Sequence, residues 1–254
     1  MDKTNQERQE DVMGKQYWRG GNMLYPVPAV MVSCGRPEER PNIITVAWAG
    51  TVCSSPAMVS ISVRKERYSY DILKETGEFV INLITRDLTY ATDFCGVRSG
   101  RDVDKFAQMH LTPLPSQHIS APGIAESPVN LECKVTQVIP LGSHDMFLAE
   151  VLGVTVDEKY MDVNGKFHLN DAGLVAYSHG EYFELGEKLG KFGYSVAKKQ
   201  AAKPESVTKS AKPSGAGKKA ASAENRTASK TGAGNRRKSA SKTGSADKQK
   251  SRRK

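Results

Sequence analysis

Alternation of apolar and polar residues is most regular between Asn42 and Leu73. From Ile43 to Thr51 the bulky side chains fall at every second position, and small or lightly polar side chains occupy the positions between them. This period of two predicts a β-strand with one core-facing side and one side of small residues. After a break at Ser54-Ser55-Pro56, the segment from Met58 to Arg64 repeats the pattern and predicts a second strand.

A helix is predicted directly after these strands, with Ser69 as its N-cap and Gly77 as its stop signal. Two small-residue strand faces would then lead to a helix start flanked by Arg64 and Arg67. A flat heteroaromatic molecule could lie on those faces, and its phosphate could accept hydrogen bonds from the first-turn amides. The alternative is close sheet packing beside solvated arginines.

The other segments with a clear pattern are also short. A first strand, Ala29 to Cys34, should pair antiparallel with the strand that begins at Ile43. The remaining predicted elements are a strand from Glu78 to Ile84, a helix from Thr85 to Phe94 ended by Gly96, a hairpin of Val129 to Ile139 with Met146 to Val156, and a hairpin of Glu158 to Val163 with Lys166 to Leu169. Many short strands with few helices and no βαβ rhythm predict a mainly β protein with short helices, an antiparallel barrel.

Charge divides the chain into unequal parts. Residues 198–254 contain 18 Lys and Arg against 3 Asp and Glu, so their formal charge is +15 and that of residues 1–197 is −6, which together give the +9 of the whole chain. The C-terminal part is rich in Lys, Ala and Ser and has no aromatic residue, so we expect a disordered basic tail. The predicted organisation is a flexible segment over 1–20, one domain over 21–197 and the tail over 198–254.

Several function classes lack their sequence signals. The chain contains neither a Gly-x-Gly-x-x-Gly turn nor a Gly-x-Ser-x-Gly elbow, and its five histidines lack metal-ligand spacing. Its four cysteines form no Cys-x-x-Cys pair, and no apolar run approaches the length of a membrane span. We therefore expect a cytoplasmic protein in a reducing compartment, with no membrane insertion and no metal site.

A set of short motifs carries a family resemblance. They are Asn42-x-x-Thr45-x-Ala47-Trp48-x-Gly50, Ser60-x-Ser62-x-Arg64 with Arg67 and Ser69, Gly77-x-Phe79-x-x-Asn82-Leu83, Cys95-Gly96-x-x-Ser99-Gly100 with Asp104-Lys105-Phe106, Ser127-Pro128-Val129 with Leu131-Glu132-Cys133, and Gly142-Ser143-His144-Asp145. In this order and spacing they resemble the flavin reductase-like (flavoredoxin) family of FMN-binding split barrels. The resemblance covers roughly Tyr25 to Ala197.

The resemblance implies a Greek-key split barrel that binds FMN, either tightly or loosely, and forms a homodimer. It also implies an FMN-dependent oxidoreductase that transfers electrons between NADH, NADPH or a redox partner protein and flavin or another acceptor. In such a protein the flavin performs the redox chemistry and the protein supplies orientation and electrostatics. No catalytic residue is predicted.

The predicted flavin contacts follow from the same motifs. Residues expected near the ring and the ribityl chain are Thr45, Ala47, Trp48, Ala49, Thr51, Ser62, Val63 and Arg64. Residues expected near the phosphate are Arg67, Ser69, Lys105 and Ser99, the last two by resemblance.

Three predicted positions have alternatives. Trp48 could stack on the ring, or could be a core or interface residue. Asn82 could contact the ligand, or could satisfy a buried loop. His144 could face the substrate, or could only occupy a hairpin tip; the resembling reductases have an aspartate before this histidine, and this chain has Ser143.

Two rival functions follow from the sequence. The same fold could use a quinone, a metal ion or a nitro compound as its acceptor. Alternatively, the barrel is a dimeric scaffold and the basic tail binds nucleic acid or another polyanion non-specifically.

Overall fold

The computed structural model describes residues 14–197. Residues 14–192 belong to one compact unit, and a second unit begins at Gly193. The predicted tail over 198–254 and most of the predicted flexible segment over 1–20 lie outside the described residues.

The strands are short, except for one long pair. They are β1 Val27–Pro28, β2 Val30–Cys34, β3 Asn42–Val46, β4 Ala49–Ser54, β5 Ala57–Arg64, β6 Glu78–Leu83, β7 Pro113–Leu114, β8 Gly123–Ile124, β9 Val129–Pro140, β10 His144–Val156, β11 Val175–Ser178 and β12 Glu181–Glu184. The α-helices are α1 Tyr68–Thr76, α2 Thr89–Val97 and α3 Lys105–Gln108. Single 3₁₀ turns occur at Arg86–Leu88, Glu158–Tyr160, Leu169–Ala172 and Tyr194–Val196.

Seven strands form one sheet in the order β3-β2-β6-β9-β10-β5-β4, and all neighbouring pairs are antiparallel. Its two edge strands, β3 and β4, are joined in the chain by only Ala47 and Trp48. The sheet must therefore curl until its edges meet. A hydrogen bond of 2.8 Å from the Ser62 amide to the Trp48 carbonyl lies at this junction. The three strands β1, β11 and β12 form a separate sheet. The predicted antiparallel barrel with short helices is confirmed.

Alternating residues of the barrel strands supply two apolar cores. Val30 and Val32 of β2, with Ile44 of β3, point inside the barrel and pack with Phe79 and Phe147. The residues between them in the strands, such as Met31 and Ile43, point outward and pack with α2 and α3. Because successive strand side chains point to opposite faces, a single strand can serve both cores.

Helix α1 packs on the barrel through Tyr70, Ile72 and Leu73, and it ends where Gly77 adopts a left-handed conformation with φ of 64°. The prediction of Ser69 as N-cap is wrong, because the helix begins at Tyr68 and Arg67 occupies the cap position. Ser69 is buried instead, and its hydroxyl accepts a hydrogen bond from Asn42.

Helix α2 packs directly on β3. It continues through Gly96 to Val97, so Gly96 does not end it as predicted. A Cβ atom at Gly96 would lie 3.2 Å from Cβ of Thr45, so the glycine permits close approach of helix and strand. The Thr45 hydroxyl also donates to the Thr92 carbonyl.

Two strand predictions differ from the structure. The single strand expected from Ile43 to Thr51 is two strands, because the chain bends at Ala47-Trp48 to pass from one sheet edge to the other. The hairpin expected on either side of Asn164-Gly165 is absent between Glu158 and Leu169, apart from one bridge between Met161 and Phe167. There the Asp162 carboxylate accepts the backbone amides of Asn164 and Lys166, which competes with strand pairing.

The long hairpin of β9 and β10 agrees with the prediction, but the turn is shorter than expected, because His144 and Asp145 already belong to β10. None of the helices within residues 14–197 combines the length and apolar character that crossing a bilayer requires. All four cysteines are free thiols.

Candidate functional site

Two adjoining cavities lie where β3, β5, α1 and α2 meet. The larger has a volume of about 390 Å³ and the smaller about 350 Å³. Ile44 and Arg67 line both cavities, so the two are adjacent compartments of one site.

The larger cavity has aromatic walls and a polar rim. Tyr25, Trp48, Tyr177 and Tyr182 line it, and neighbouring rings have centroid separations of 6.2 Å for Tyr25 with Trp48, 6.2 Å for Tyr25 with Tyr177 and 5.5 Å for Tyr177 with Tyr182. Small side chains and backbone of the β3 end complete it. A wall of this kind suits a flat aromatic ring system.

His144 and Arg64 are neighbours in the lining of the larger cavity. His144 is the first residue of β10 and pairs in register with Arg64 of β5. Partial burial and the nearby Arg64 guanidinium lower the pKa of His144, so its imidazole is neutral at pH 7. A neutral imidazole can donate and accept hydrogen bonds at once. Its Nδ1 lies 2.9 Å from the Ser143 hydroxyl oxygen.

The smaller cavity is cationic, and is called the basic cavity below. Four basic side chains and one carboxylate line it, so the basic cavity has a formal excess of three positive charges. The basic residues are Arg67, Arg98, Arg101 and Lys105, and the acidic residue is Glu66. Ser69 and Ser99 also line it and add hydroxyl groups that can donate hydrogen bonds. This composition favours an anion such as a phosphate.

Lys105 is the most informative residue of the basic cavity. It is only 3% exposed, and its ammonium donates to the carbonyls of Ile43 at 2.6 Å and Cys95 at 2.7 Å. Within residues 14–197 no carboxylate lies within ion-pair distance of it. Burial lowers the pKa of Lys105 to about 8, and a buried ammonium without a counter-ion is costly.

An anion in the basic cavity would offset that cost. An ammonium has three N–H groups, and the two carbonyls use two of them. The aromatic compartment and the cationic compartment therefore fit the ring and the phosphate of a flavin mononucleotide, with Arg67 bordering both parts.

Most predicted site residues come together here. Those lining the larger cavity are Thr45, Ala47, Trp48, Ser62, Val63, Arg64, Arg67 and His144. Those lining the basic cavity are Arg67, Ser69, Ser99 and Lys105.

Three predicted contacts lie elsewhere. Ala49 and Thr51 belong to β4, beyond the bend at Ala47-Trp48, and line neither cavity. Asn82 is fully buried in the sheet, where its amide donates to Met31 and Ser33 and accepts from Ile124. These surroundings correspond to the structural alternative for Asn82, because its donors and acceptor already have protein partners.

Sequence reasoning missed some of the lining. Tyr25, Tyr177 and Tyr182 line the larger cavity but were not among the predicted contacts. Tyr177 and Tyr182 belong to β11 and β12 of the three-stranded sheet, whose pairing with β1 is not local in sequence. Arg98 and Arg101 line the basic cavity and were not predicted either. The sequence signal that could have found them is the pair of arginines on either side of Ser99.

Comparison with known proteins identifies the class. A family model described as a flavin reductase like domain matches residues 22–186, and the chain belongs to this family. The resemblance read from the motifs is therefore confirmed.

Particular relatives agree with this assignment. Flavoredoxin of Desulfovibrio vulgaris (Miyazaki F) is 34% identical with a TM-score of 0.67, and the match covers 72% of this chain and 100% of that one. Flavoredoxin from Methanosarcina acetivorans shares the fold at 24% identity and a TM-score of 0.64, over 72% of this chain and 100% of that one. An uncharacterised protein of Archaeoglobus fulgidus is 31% identical over 63% of this chain and 88% of its own length. The family and the likeness to the Desulfovibrio vulgaris flavoredoxin support a flavin-related redox function.

Proposed function

We propose that the chain binds FMN and transfers electrons between a nicotinamide nucleotide or a redox partner protein and a second acceptor. The single observation that carries this proposal is the pair of adjoining cavities that share Ile44 and Arg67, one aromatic and one cationic. The flavin ring, when bound, accepts and donates the electrons.

The protein residues have separate tasks in this proposal. Arg67, Ser69 and Lys105 hold the phosphate, and Arg98 and Arg101 add positive potential around it. Tyr25 and Trp48 exclude water from one side of the larger cavity, which strengthens electrostatic interactions within it.

His144 and Arg64 lie at the rim, where a second reactant would enter. The neutral imidazole can donate to an amide or carbonyl oxygen of that reactant, while the guanidinium attracts an anionic part. Neither group needs to change its protonation for this task. They orient the reactant, and the flavin performs the electron transfer.

Steady-state oxidation of NADH and NADPH tests the nicotinamide part of the proposal. We expect FMN-loaded protein to oxidise at least one nucleotide with free flavin, a quinone or a nitro compound as acceptor. His144→Ala should raise KM for the nucleotide by roughly 5- to 10-fold, which corresponds to one lost hydrogen bond of about 1 kcal/mol. The FMN dissociation constant should stay within about twofold.

The matched control is His110→Asn, because His110 is exposed and lines neither cavity, and asparagine tolerates its φ of 53°. This control should leave KM unchanged. If FMN-loaded protein oxidises neither nucleotide with any of these acceptors, nicotinamide is not the donor. If His144→Ala leaves KM unchanged, His144 does not contact the nucleotide.

A further inference from the structure

The residue after His144 faces the opposite way. Asp145 is the second residue of β10 and pairs with Val63, while His144 pairs with Arg64. Because adjacent strand residues point to opposite faces, His144 lines the larger cavity and Asp145 turns inward, where it is only 5% exposed. A buried carboxylate at the start of a strand requires partners.

Asp145 has one partner in a helix and one in the loop after β5. The Tyr70 hydroxyl, from α1, donates to Oδ2 of Asp145 at 2.6 Å, and the Lys65 ammonium lies 3.3 Å from Oδ1. The hydrogen bond from Tyr70 and the charge of Lys65 keep the pKa of Asp145 below its ordinary value, so the carboxylate is charged at neutral pH. A hydrogen bond to a charged acceptor is stronger than one between neutral groups.

The ring of Tyr70 is itself fixed. It packs edge to face against Phe147, two residues further along β10, with centroids 5.8 Å apart and an interplanar angle of 77°. Tyr70 therefore holds β10 by a ring contact and by a hydrogen bond. These contacts attach α1 to the strand end that carries His144.

Helix α1 also serves the other compartment. Tyr68 and Ser69, which precede Tyr70, line the basic cavity. The first turn of α1 therefore contacts the basic cavity through Tyr68 and Ser69, and it contacts Asp145 at the start of β10 through Tyr70. The turn itself is tight, since the Leu141 amide donates to the His144 carbonyl at 2.9 Å.

We propose that Asp145 and Tyr70 are positioning residues whose hydrogen bond holds the β9–β10 turn so that His144 faces the larger cavity beside Arg64. Neither residue lines the cavity, so each acts through His144. The placement of His144 rests on this geometry alone, whereas its consequence for electron transfer rests on the proposed function.

Tyr70→Phe is the direct test, since it removes one hydroxyl and keeps the ring that packs on Phe147. The pKa of His144 should be measured by NMR titration of its imidazole signals in the wild type and in the variant. We expect this pKa to rise in the variant toward about 6.5, the value of an exposed imidazole.

A matched control and a kinetic readout distinguish positioning from general stability. Tyr90→Phe removes the hydroxyl of an exposed tyrosine and should leave the pKa of His144 unchanged. In FMN-loaded protein, Tyr70→Phe should raise KM for the electron donor by roughly 3- to 10-fold with kcat and FMN affinity within about twofold. A fall in melting temperature with an unchanged pKa of His144 would overturn the inference.

A second variant covers the case in which Tyr70→Phe does not fold. Asp145→Asn keeps the size of the side chain but replaces the charged acceptor of the Tyr70 hydroxyl with a neutral amide. In FMN-loaded protein this variant should raise KM for the electron donor, as Tyr70→Phe does, with FMN affinity within about twofold. An unchanged KM in this variant would also overturn the inference. Wild-type protein that binds no FMN would contradict the proposed function, while the NMR titration would still decide the role of Tyr70.

Discussion

Two buried polar residues of the chain have opposite roles, and their hydrogen bonds distinguish them. Asn82 has protein partners for both its donors and its acceptor, so it connects β6 with neighbouring segments and does not reach the site. Lys105 is equally buried, yet it has two carbonyl partners and no carboxylate within residues 14–197. Sequence alone left Asn82 open between these roles, because burial and hydrogen bonding depend on strands that are distant in the chain.

The charge of Lys105 gives FMN binding a predicted pH dependence. Burial lowers the pKa of Lys105 to about 8, so its amine is charged at pH 7 and mostly neutral at pH 9. A phosphate binds the charged form of Lys105 more tightly, so FMN affinity should be highest below pH 8 and should fall as the pH rises through 8. At pH 9 about one molecule in ten still carries the charged amine, so the affinity falls by at most about tenfold.

Riboflavin is the control for this pH dependence, because it lacks the phosphate. The affinities of FMN and riboflavin should both be measured by fluorescence titration at pH 7 and pH 9, and that of riboflavin should change by less than about twofold. Burial raises the pKa values of the nearby Cys34 and Cys95 to about 11, so both thiols stay neutral over this range. Parallel changes for FMN and riboflavin would show that Lys105 does not act on the phosphate.

At the scale of elements, the basic cavity depends on three segments that meet closely. Asn42 begins β3, Ser69 lies in the first turn of α1, and Gly100 follows α2. The Asn42 amide donates to the Ser69 hydroxyl oxygen at 2.7 Å, and a Cβ at Gly100 would lie 2.0 Å from Oδ1 of Asn42. The absence of a side chain at Gly100 thus allows the loop to close against β3.

Gly100→Ala should separate these segments. The added methyl would displace Asn42 and break its hydrogen bond to Ser69, so we expect a loss of about 1–3 kcal/mol in the free energy of unfolding. FMN affinity should fall by at least about tenfold, and riboflavin affinity should fall less. Chemical denaturation and flavin titration measure the two effects.

Gly50→Ala is the matched control, since Gly50 lies in β4 with open space around the position of an added Cβ. It should leave stability within about 0.5 kcal/mol and FMN affinity unchanged. Equal effects of the two substitutions would mean that close approach at Gly100 has no special part in the site.

At the scale of elements, the period-two pattern of apolar residues predicts some strands and misses others. Strand β5 and the first half of β10 were predictable because they bury alternate residues. Prediction failed where side chains compete with strand pairing, as Asp162 does. It also failed at Ala47-Trp48, because a bend between sheet edges leaves the local alternation of residues intact.

At the scale of the molecule, the barrel and its site follow from strand order. The two edge strands are consecutive in the chain, so closing the sheet places the end of β3 beside β5 and creates the larger cavity. The separate three-stranded sheet then adds Tyr177 to the cavity wall, which local patterns could not predict. The order of the motifs predicted the family, whose model matches residues 22–186.

The binding partners of the whole molecule remain predictions. Residues 198–254 carry a formal charge of +15 and lie outside the described residues. Their attraction to nucleic acid or another polyanion stays a prediction, as does homodimer formation.

The absorption spectrum of the full-length protein, recorded after incubation with FMN and desalting, tests the central claim most directly. We expect the flavin bands to survive desalting at about one flavin per chain, and to be mostly lost in the double variant Arg64→Ala/Arg67→Ala, which removes two cations from the site. The control Arg19→Ala/Arg86→Ala removes two exposed arginines that line neither cavity and should retain the bands. A colourless wild-type protein that FMN does not reconstitute, or equal flavin retention in both double variants, would contradict the account.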